Sequence, residues 1–310
     1  MNFLITGGAG FLGAALSNRL ARQGHHVRVL DDLSTGNPDA LDPEVHFTRG
    51  DINDRPKLWT LLQEIDCVYH LAARVSVPES ILFPRDYNGV NVGGTATLME
   101  AVRDAGTPRV VLASSGAIYG DQADSLLSED MSPHPGSPYA VSKLSSEWYV
   151  RTIGALSGIE TLCMRIFNAY GPGQRIPPAH PPVIPNFIRQ SQQNGTLVYH
   201  GDGTQTRDYV YVDDVINALV TAAAVKGLNG QVINVGSGTE TSIKDLAKLV
   251  VDIVGGDPEE VYNPRISGGV SRMCADIKLA REKLNYIPLI PLEMGLRLTL
   301  ERDPQFSNGS

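Results

Sequence analysis

The sequence predicts an α/β fold built on a parallel sheet, followed by a looser α+β region. Three observations carry that prediction. Through the first 170 residues, short apolar runs alternate with longer amphipathic stretches, the pattern of strands joined by helical crossovers that cover both sheet faces. The first apolar run ends in a cluster of glycines. After Tyr170 the alternation stops at a proline-rich segment. The chain has 310 residues, 42% hydrophobic and 19% charged, enough for a large core in one large domain or two closely associated ones.

Asn2–Thr6 reads as the first strand and Phe11–Gln23 as the first helix, with Leu12, Leu16 and Leu20 on one face. His26–Leu30 and Val45–Arg49 are the next strands. Arg55–Glu64 suits a helix, Cys67–Leu71 a strand and Asn88–Ala105 a long helix. Arg109–Ala113 is a strand, Tyr139–Leu156 a helix and Glu160–Ile166 a strand. Gly171–Pro185 holds six prolines, which exclude a regular helix or central strand and suit either a lid or a rigid connector. Val212–Ala224 (helix) and Gln231–Val235 (strand) are expected to return to the sheet. Ser242–Val254 is an amphipathic helix, and Pro304–Ser310 a frayed tail.

Several function classes are disfavoured. The net charge is −8 and no basic run stands out, which argues against nucleic acid as a partner. No run of 18 apolar residues occurs, so no membrane-spanning helix is expected. The N-terminus lacks a basic start and is interrupted by Gly7, Gly8 and Gly10, unlike a signal peptide. Cys67, Cys163 and Cys274 are far apart, without Cys-x-x-Cys. The expectation is no disulfide framework, no metal site and a cytoplasmic location.

The glycines at 7, 10 and 13 follow the first strand with Gly-x-x-Gly-x-x-Gly spacing. The first permits a tight turn, the second lets the backbone approach a pyrophosphate, and the third lets helix and strand pack closely. The helix start then offers free N–H groups to the phosphates. Asp31 ends the second strand 18 residues past Gly13. A carboxylate there accepts hydrogen bonds from an adenosine ribose and repels a 2′-phosphate, which favours NAD over NADP. Asp32 reads as a second ribose contact or as a turn residue. Asp51 and Ile52 suit an adenine contact, or a helix cap. Leu71, Ala72 and Ala73 suit a flat cofactor lying on the backbone, or simple close packing.

Tyr139 and Lys143 form Tyr-x-x-x-Lys on one helix face. A free tyrosine titrates near pH ~10 and is a poor base at neutrality; lowering it by about 3 units takes roughly 4 kcal/mol. A neighbouring ammonium acts in that direction. Ser115, 24 residues upstream at the end of the fifth strand, brings a hydroxyl to the same sheet edge. Capping is the alternative role for Ser114 and Ser115.

With these in place the chain resembles the extended short-chain dehydrogenase/reductases, specifically the NAD-dependent sugar-nucleotide epimerase/dehydratase family. Thr6–Gly13, His70–Ala73, Asn91–Thr95, Ser114–Gly120, Tyr139–Lys143, Arg165–Pro172 and Gly203–Val215 appear in order, spanning nearly all of it. The resemblance implies a doubly wound parallel Rossmann sheet with a smaller α+β C-terminal substrate domain. Residues 1–170 would bind NAD, with a return around 212–236, and 171–310 would mainly bind substrate. It implies cofactor contacts at Phe11, Leu12, Asp31, Asp32, Leu33, Ser34, Thr35, Gly36, Asp51, Ile52, Leu71, Ala72, Ala73, Arg74, Val75, Asn91, Ser114 and Phe167. Ser115, Tyr139 and Lys143 would be catalytic. Asn168, Val183 and Arg207 would meet a UDP-sugar.

The second phosphate-binding arginine of the family is displaced here. Pro264–Gly269 places Arg265 one position early and lacks the family's acid, which leaves Arg265 or Arg272. Met273 suits either a hydroxyl or an acetamido group on the sugar. Family dehydratases carry Asp-Glu after the catalytic hydroxyl and decarboxylases a Glu; here stand Gly116 and Ala117. The resemblance therefore implies C4 epimerisation, UDP-glucose/UDP-galactose being the commonest pair. UDP-glucuronate or UDP-N-acetylglucosamine epimerisation, dehydration or decarboxylation, and a non-catalytic nucleotide sensor are the alternatives. It also implies a homodimer through the Asn88–Ala105 and Tyr139–Leu156 helices.

Overall fold

The structure, a computed structural model, describes residues 1–124, 126–264 and 269–307. Seven parallel strands form its central sheet: β1 (Asn2–Thr6), β2 (His26–Asp31), β3 (His46–Arg49), β4 (Cys67–His70), β5 (Arg109–Ser115), β6 (Glu160–Ile166) and β7 (Gln231–Val235). Their order is β7-β6-β5-β4-β1-β2-β3. The winding reverses between β1 and β4, and the carboxyl ends there open a crevice. Thr6 pairs with His70 across that point, and Ser114 with Arg165 further along.

Alternation along the strands decides which face each side chain fills. Phe3, Ile5, Val27, Val29 and Tyr69 point to one side with Leu16 and Leu20 of α1 (Phe11–Arg22). Leu4, Leu30, Val68 and Leu112 point to the other. That second face is covered by α2 (Arg55–Leu61), α3 (Gly94–Ala105) and α4 (Pro138–Ser157), through Leu58, Leu98 and Val150. Every residue named here is almost fully buried, so each large side chain contributes about 1.5–3 kcal/mol relative to exposure.

After β6 the chain makes short two-stranded pairings. Asn168–Tyr170 pairs with Tyr209–Tyr211, Thr206–Arg207 with Thr241–Ser242, and Thr196–His200 with Glu259–Asn263. Leu126–Leu127 pairs with Cys274–Ala275. The helices of this region include α5 (Val183–Gln192), α6 (Val212–Ala224) and α7 (Ile243–Val254). Helix α6 packs against α1, which returns the chain to the sheet before β7 joins its edge beside β6. The three cysteines are buried and unpaired. Among the described residues no helix is long and apolar enough to cross a membrane.

Four expectations are corrected. The helix predicted to Glu64 stops at Leu61, because Glu64 adopts a left-handed φ of 63°. The helix predicted over Asn88–Ala105 begins as a π-helical stretch, Asn88–Gly93, and becomes α-helical at Gly94. Pro185 does lie in a helix, in the first turn of α5, where its missing N–H has no helical partner to lose. The described part of the tail docks rather than frays: Pro304–Ser307 is a helical turn with Phe306 buried, and Phe306 O accepts the Gln192 side-chain N–H at 2.9 Å, the rest of Pro304–Ser310 lying outside the described residues.

Candidate active site

The glycine turn leaves room only for backbone. Gly7 has φ 68°, and a Cβ there would lie 2.6 Å from Ala72 N on the facing strand end. A Cβ on Gly13 would lie 2.1 Å from Gly7 O, so α1 packs onto the turn only because position 13 has no side chain. Gly10 is the N-cap of α1 and supplies no side-chain cap, and the first turn carries no acidic residue. The helix start thus keeps its N–H groups and positive dipole end available to an anion. Phe11 and Leu12 form that first turn, half-buried.

Asp31, almost fully buried, accepts hydrogen bonds from Ala9 N (3.0 Å) and Leu33 N (2.8 Å). Leu33 takes φ 64° there, and a Cβ on Gly36 would sit 2.6 Å from Asp31 Oδ1, which seats Gly36 against the carboxylate. The neighbouring Asp32 is exposed and closes a turn, accepting from Ser34 N (2.8 Å) and Ser34 Oγ (2.7 Å); exposed Thr35 follows. Asp51 likewise closes its own turn through Asn53. The cap of α2 is Asp54, whose carboxylate accepts from Lys57 N at 3.1 Å. Ile52 is buried, under the α3 start at Gly94. These parts fit a dinucleotide: a turn for the pyrophosphate, and a buried carboxylate one strand over for a ribose.

Leu71–Ala73 run from the end of β4 along the crevice floor. The next residues are fastened from above: Asn91, fully buried, accepts from Arg74 N (2.8 Å) and donates to Arg74 O (3.0 Å) and Ser142 Oγ (2.9 Å). Asn91 thus holds the loop, while Val75 is left exposed. His70 is sandwiched between Thr6 Oγ1 (2.8 Å) and Thr95 Oγ1 (2.9 Å). Burial, and secondarily the Lys143 charge, pushes it down to about 3, so it is neutral.

The three catalytic candidates meet at the carboxyl edge. Ser137 caps α4 by accepting from Ala140 N at 3.1 Å, and Pro138 pre-sets the first helical φ. Tyr139 follows at once, and the Ser115 hydroxyl lies near its phenol, favouring the ionised form. Ser115 also caps the Gly116–Tyr119 turn, accepting from Ala117 N at 3.1 Å, so its capping and its meeting with Tyr139 coexist. Tyr87 packs edge-on to Tyr139, centroids 6.4 Å apart. Lys143 lies one turn on, with only 5% of its surface exposed, and burial pushes it down to about 8 against the opposing pull of Glu147.

Burial raises Tyr139 above the ordinary phenol value, and the nearby Ser115 hydroxyl only opposes that effect, so the chain without a cofactor holds Tyr139 protonated at neutrality. Ser114 donates to Glu147 Oε1 at 2.5 Å and faces the protein interior. Phe167 is buried, its ring 3.1 Å from where a Gly116 Cβ would stand.

Asn168 extends from the same edge, and its side chain donates to Asp208 O at 3.1 Å. Arg207 Nη1 donates to Thr206 O and Val270 O, both at 2.7 Å. Burial lowers the Arg207 value while Tyr209 and Asp121 oppose it. The Tyr209 hydroxyl is buried with no hydrogen-bond partner among the described residues, and the sequence singled out no role for it. Arg272 is exposed and held in a two-point ion pair by Glu240 (2.9 and 2.6 Å), whose carboxylate also accepts from the Thr206 hydroxyl. Val183 opens α5, half-buried; Met273 is buried in the core. Arg265 lies outside the described residues.

Two acids in the segment Gly203–Val215 prove structural. Asp208 is fully buried and accepts from Ser237 N and Oγ (2.7 Å each), Gly238 N (2.9 Å) and Ala275 N (3.0 Å). Asp214 accepts from Leu289 N (3.0 Å) and Ile290 N (3.1 Å). Their backbone partners lie far along the chain, so nothing in the local sequence announces the role.

Comparisons with known proteins agree with this geometry. The model of the NAD dependent epimerase/dehydratase family matches residues 3–236. The chain is 38% identical to a UDP-glucose 4-epimerase of Mycolicibacterium smegmatis, covering 97% of this chain and 98% of that one. Its fold is similar to the crystal structure of UDP-glucose 4-epimerase from Thermotoga maritima (TM-score 0.93, 35% identity, 97% and 98% covered). It is similar also to UDP-glucuronic acid 4-epimerase from Bacillus cereus, solved with UDP-glucuronic acid and NAD (TM-score 0.89, 33% identity, 97% and 98% covered).

Proposed function

The chain belongs to the NAD-dependent epimerase/dehydratase family, and from that premise we propose that it inverts C4 of a UDP-hexose, with UDP-glucose and UDP-galactose as the pair. One observation carries the reading. Ser115 ends β5 and Tyr139 and Lys143 lie in the first turns of α4, while the two positions after Ser115 are Gly116 and Ala117, which offer no acid or base. Elimination at C5–C6 or loss of a carboxylate asks for a further group there; proton exchange at the C4 oxygen asks only for Tyr139.

Tyr139 is the acid/base: as phenolate it accepts the C4 hydroxyl proton, and as phenol it returns it. Ser115, whose hydroxyl lies near the Tyr139 phenol, orients the reacting oxygen. Lys143 supplies positive charge beside a phenol whose burial otherwise keeps it protonated, and its ammonium suits a ribose diol. Bound NAD supplies the hydride acceptor at C4 and a positive nicotinamide ring that favours the Tyr139 phenolate. Gly7, Gly10 and Gly13 would hold its pyrophosphate, and Asp31 its adenosine ribose.

Residues 1–170 with the 212–236 return serve as the cofactor-binding part, and most of 171–310 as the substrate part, Asn168, Val183 and Arg207 facing the nucleotide. Helix α4 leaves Val141, Trp148 and Tyr149 exposed, an apolar stripe that suits pairing of two copies. The test is incubation with UDP-galactose and NMR detection of UDP-glucose, with parallel tubes of UDP-glucuronate and UDP-N-acetylglucosamine. Conversion in one of the latter alone reassigns the sugar; no conversion in any overturns the reading.

A further inference from the structure

One buried ion pair lies directly behind the catalytic edge. Glu147 stands on α4 one turn after Lys143 and two turns after Tyr139, and is 1% exposed. Its Oε1 accepts from Ser114 Oγ (2.5 Å) and Arg165 Nε (3.0 Å), and its Oε2 from Arg165 Nη2 (2.9 Å). Arg165 turns its remaining edge to Tyr119, donating from Nη1 to the phenol oxygen at 2.9 Å. The Tyr119 hydroxyl donates to Asn234 Oδ1 at 2.7 Å, and Asn234 N donates to Glu129 Oε1 at 2.7 Å. One network thus joins α4, the ends of β5 and β6, the Gly116–Tyr119 turn and β7.

A buried pair of this kind is a poor way to gain stability, because desolvating two charges cancels much of their attraction. Its placement suggests a different use. The turn that begins at Ser115 is gripped at both ends: Ser114, immediately before it, is bonded to Glu147, and Tyr119, its last residue, to Arg165. The same Glu147 carboxylate stands one helical turn from Lys143 and favours its charged form. The other titratable groups around that ammonium are Tyr139 on its own helix, His70 at the end of β4 and Cys163 on β6.

We propose that Glu147 is a positioning residue for the reaction, seating Ser115 through Ser114 and Arg165. The proposal rests on the catalytic reading of Ser115, Tyr139 and Lys143. It adds two separable consequences. Loss of the Ser114 link lets Ser115 drift without altering the charge. Loss of the Glu147 charge leaves Arg165 uncompensated and makes the Lys143 ammonium easier to deprotonate.

The test uses the full chain, Glu147→Gln and Ser114→Ala. In Glu147→Gln, the Lys143 titration followed by side-chain NMR should move to lower pH by about one pH unit, and the alkaline limb of turnover should follow it. In Ser114→Ala, kcat should fall about tenfold or more with KM and NAD affinity kept, and the limb should stay in place. Glu147→Asp should restore the titration. An unmoved Lys143 titration in Glu147→Gln together with full turnover in Ser114→Ala would overturn the proposal. If Glu147→Gln does not fold, Ser114→Ala decides alone. If the unaltered chain converts no sugar nucleotide, the catalytic reading fails, while the Lys143 titration still judges the Glu147 coupling.

Discussion

Asp31 accepts the Ala9 backbone N–H at 3.0 Å, so the carboxylate at the end of β2 is tied to the glycine turn after β1. The group that would meet a ribose also fixes the loop that would meet the pyrophosphate. Asp31→Asn places an amide N–H₂ against one of two backbone donors, the second being Leu33 N. Hydrogen bonds to charged groups are worth roughly 1.5–3 kcal/mol, so NAD should bind about tenfold more weakly or worse. Titration calorimetry with NAD checks this; unchanged affinity would separate Asp31 from the cofactor.

How much of this was readable in advance depends on how local each signal is. Gly7, Gly10, Gly13 and Asp31 act within one β-α-β unit, where spacing alone specifies the turn. Tyr139 and Lys143 share a helix face by periodicity, and Ser115 sits at a strand end. Glu147 has the same helical spacing, but its partners Ser114 and Arg165 are on separate strands, so only the fold reveals the pair. Asn91 likewise looks like a cofactor contact in sequence, and only the structure displays its grip on Arg74. Arg272 is a candidate because the family's second arginine is displaced in Pro264–Gly269, and Glu240, its partner, gives no local sign of the pairing.

Tyr139 is the residue whose loss should stop chemistry without stopping binding. Tyr139→Phe keeps the ring against Tyr87 and removes only the phenol hydroxyl. General acid–base catalysis contributes about 10²–10⁴-fold, so kcat should fall by that order while NAD affinity stays within a few-fold. Turnover of the unaltered enzyme should also decline as pH rises through about 8, where Lys143 loses its proton. A pH–rate profile and single-point kinetics on Tyr139→Phe test both statements.

His70 should make the fold acid-sensitive. It stays neutral down to about pH 3 in the folded chain, whereas an unfolded histidine binds its proton near the ordinary 6.5. Between these values the unfolded state holds more protons, so stability falls as pH falls from 6.5 toward 3. The slope approaches about 1.4 kcal/mol per pH unit for one proton. His70→Gln, which can still bond Thr6 and Thr95, lacks this contribution. Urea unfolding of both forms at pH 7, 6 and 5 should show their stability difference shifting in favour of the variant as pH drops; a constant difference would refute the assignment.

The two described candidates for a phosphate-binding cation should behave differently. Arg207 is mostly buried and anchored to the carbonyls of Thr206 and Val270, which orders its guanidinium near Tyr209. Arg272 is 60% exposed in its side chain and already matched by the Glu240 carboxylate. Binding a pyrophosphate through Arg272 would first require breaking that two-point pair. Because Glu240 already neutralises this exposed cation, Arg272→Met should change UDP affinity less than about fivefold. Arg207→Met removes a charge-assisted contact, worth about 1.5–3 kcal/mol, and should weaken UDP binding by roughly tenfold to a hundredfold. Calorimetry with UDP alone reads both variants without depending on turnover. The reverse order of effects would move the phosphate site to Arg272 and require the Glu240 pair to open on binding.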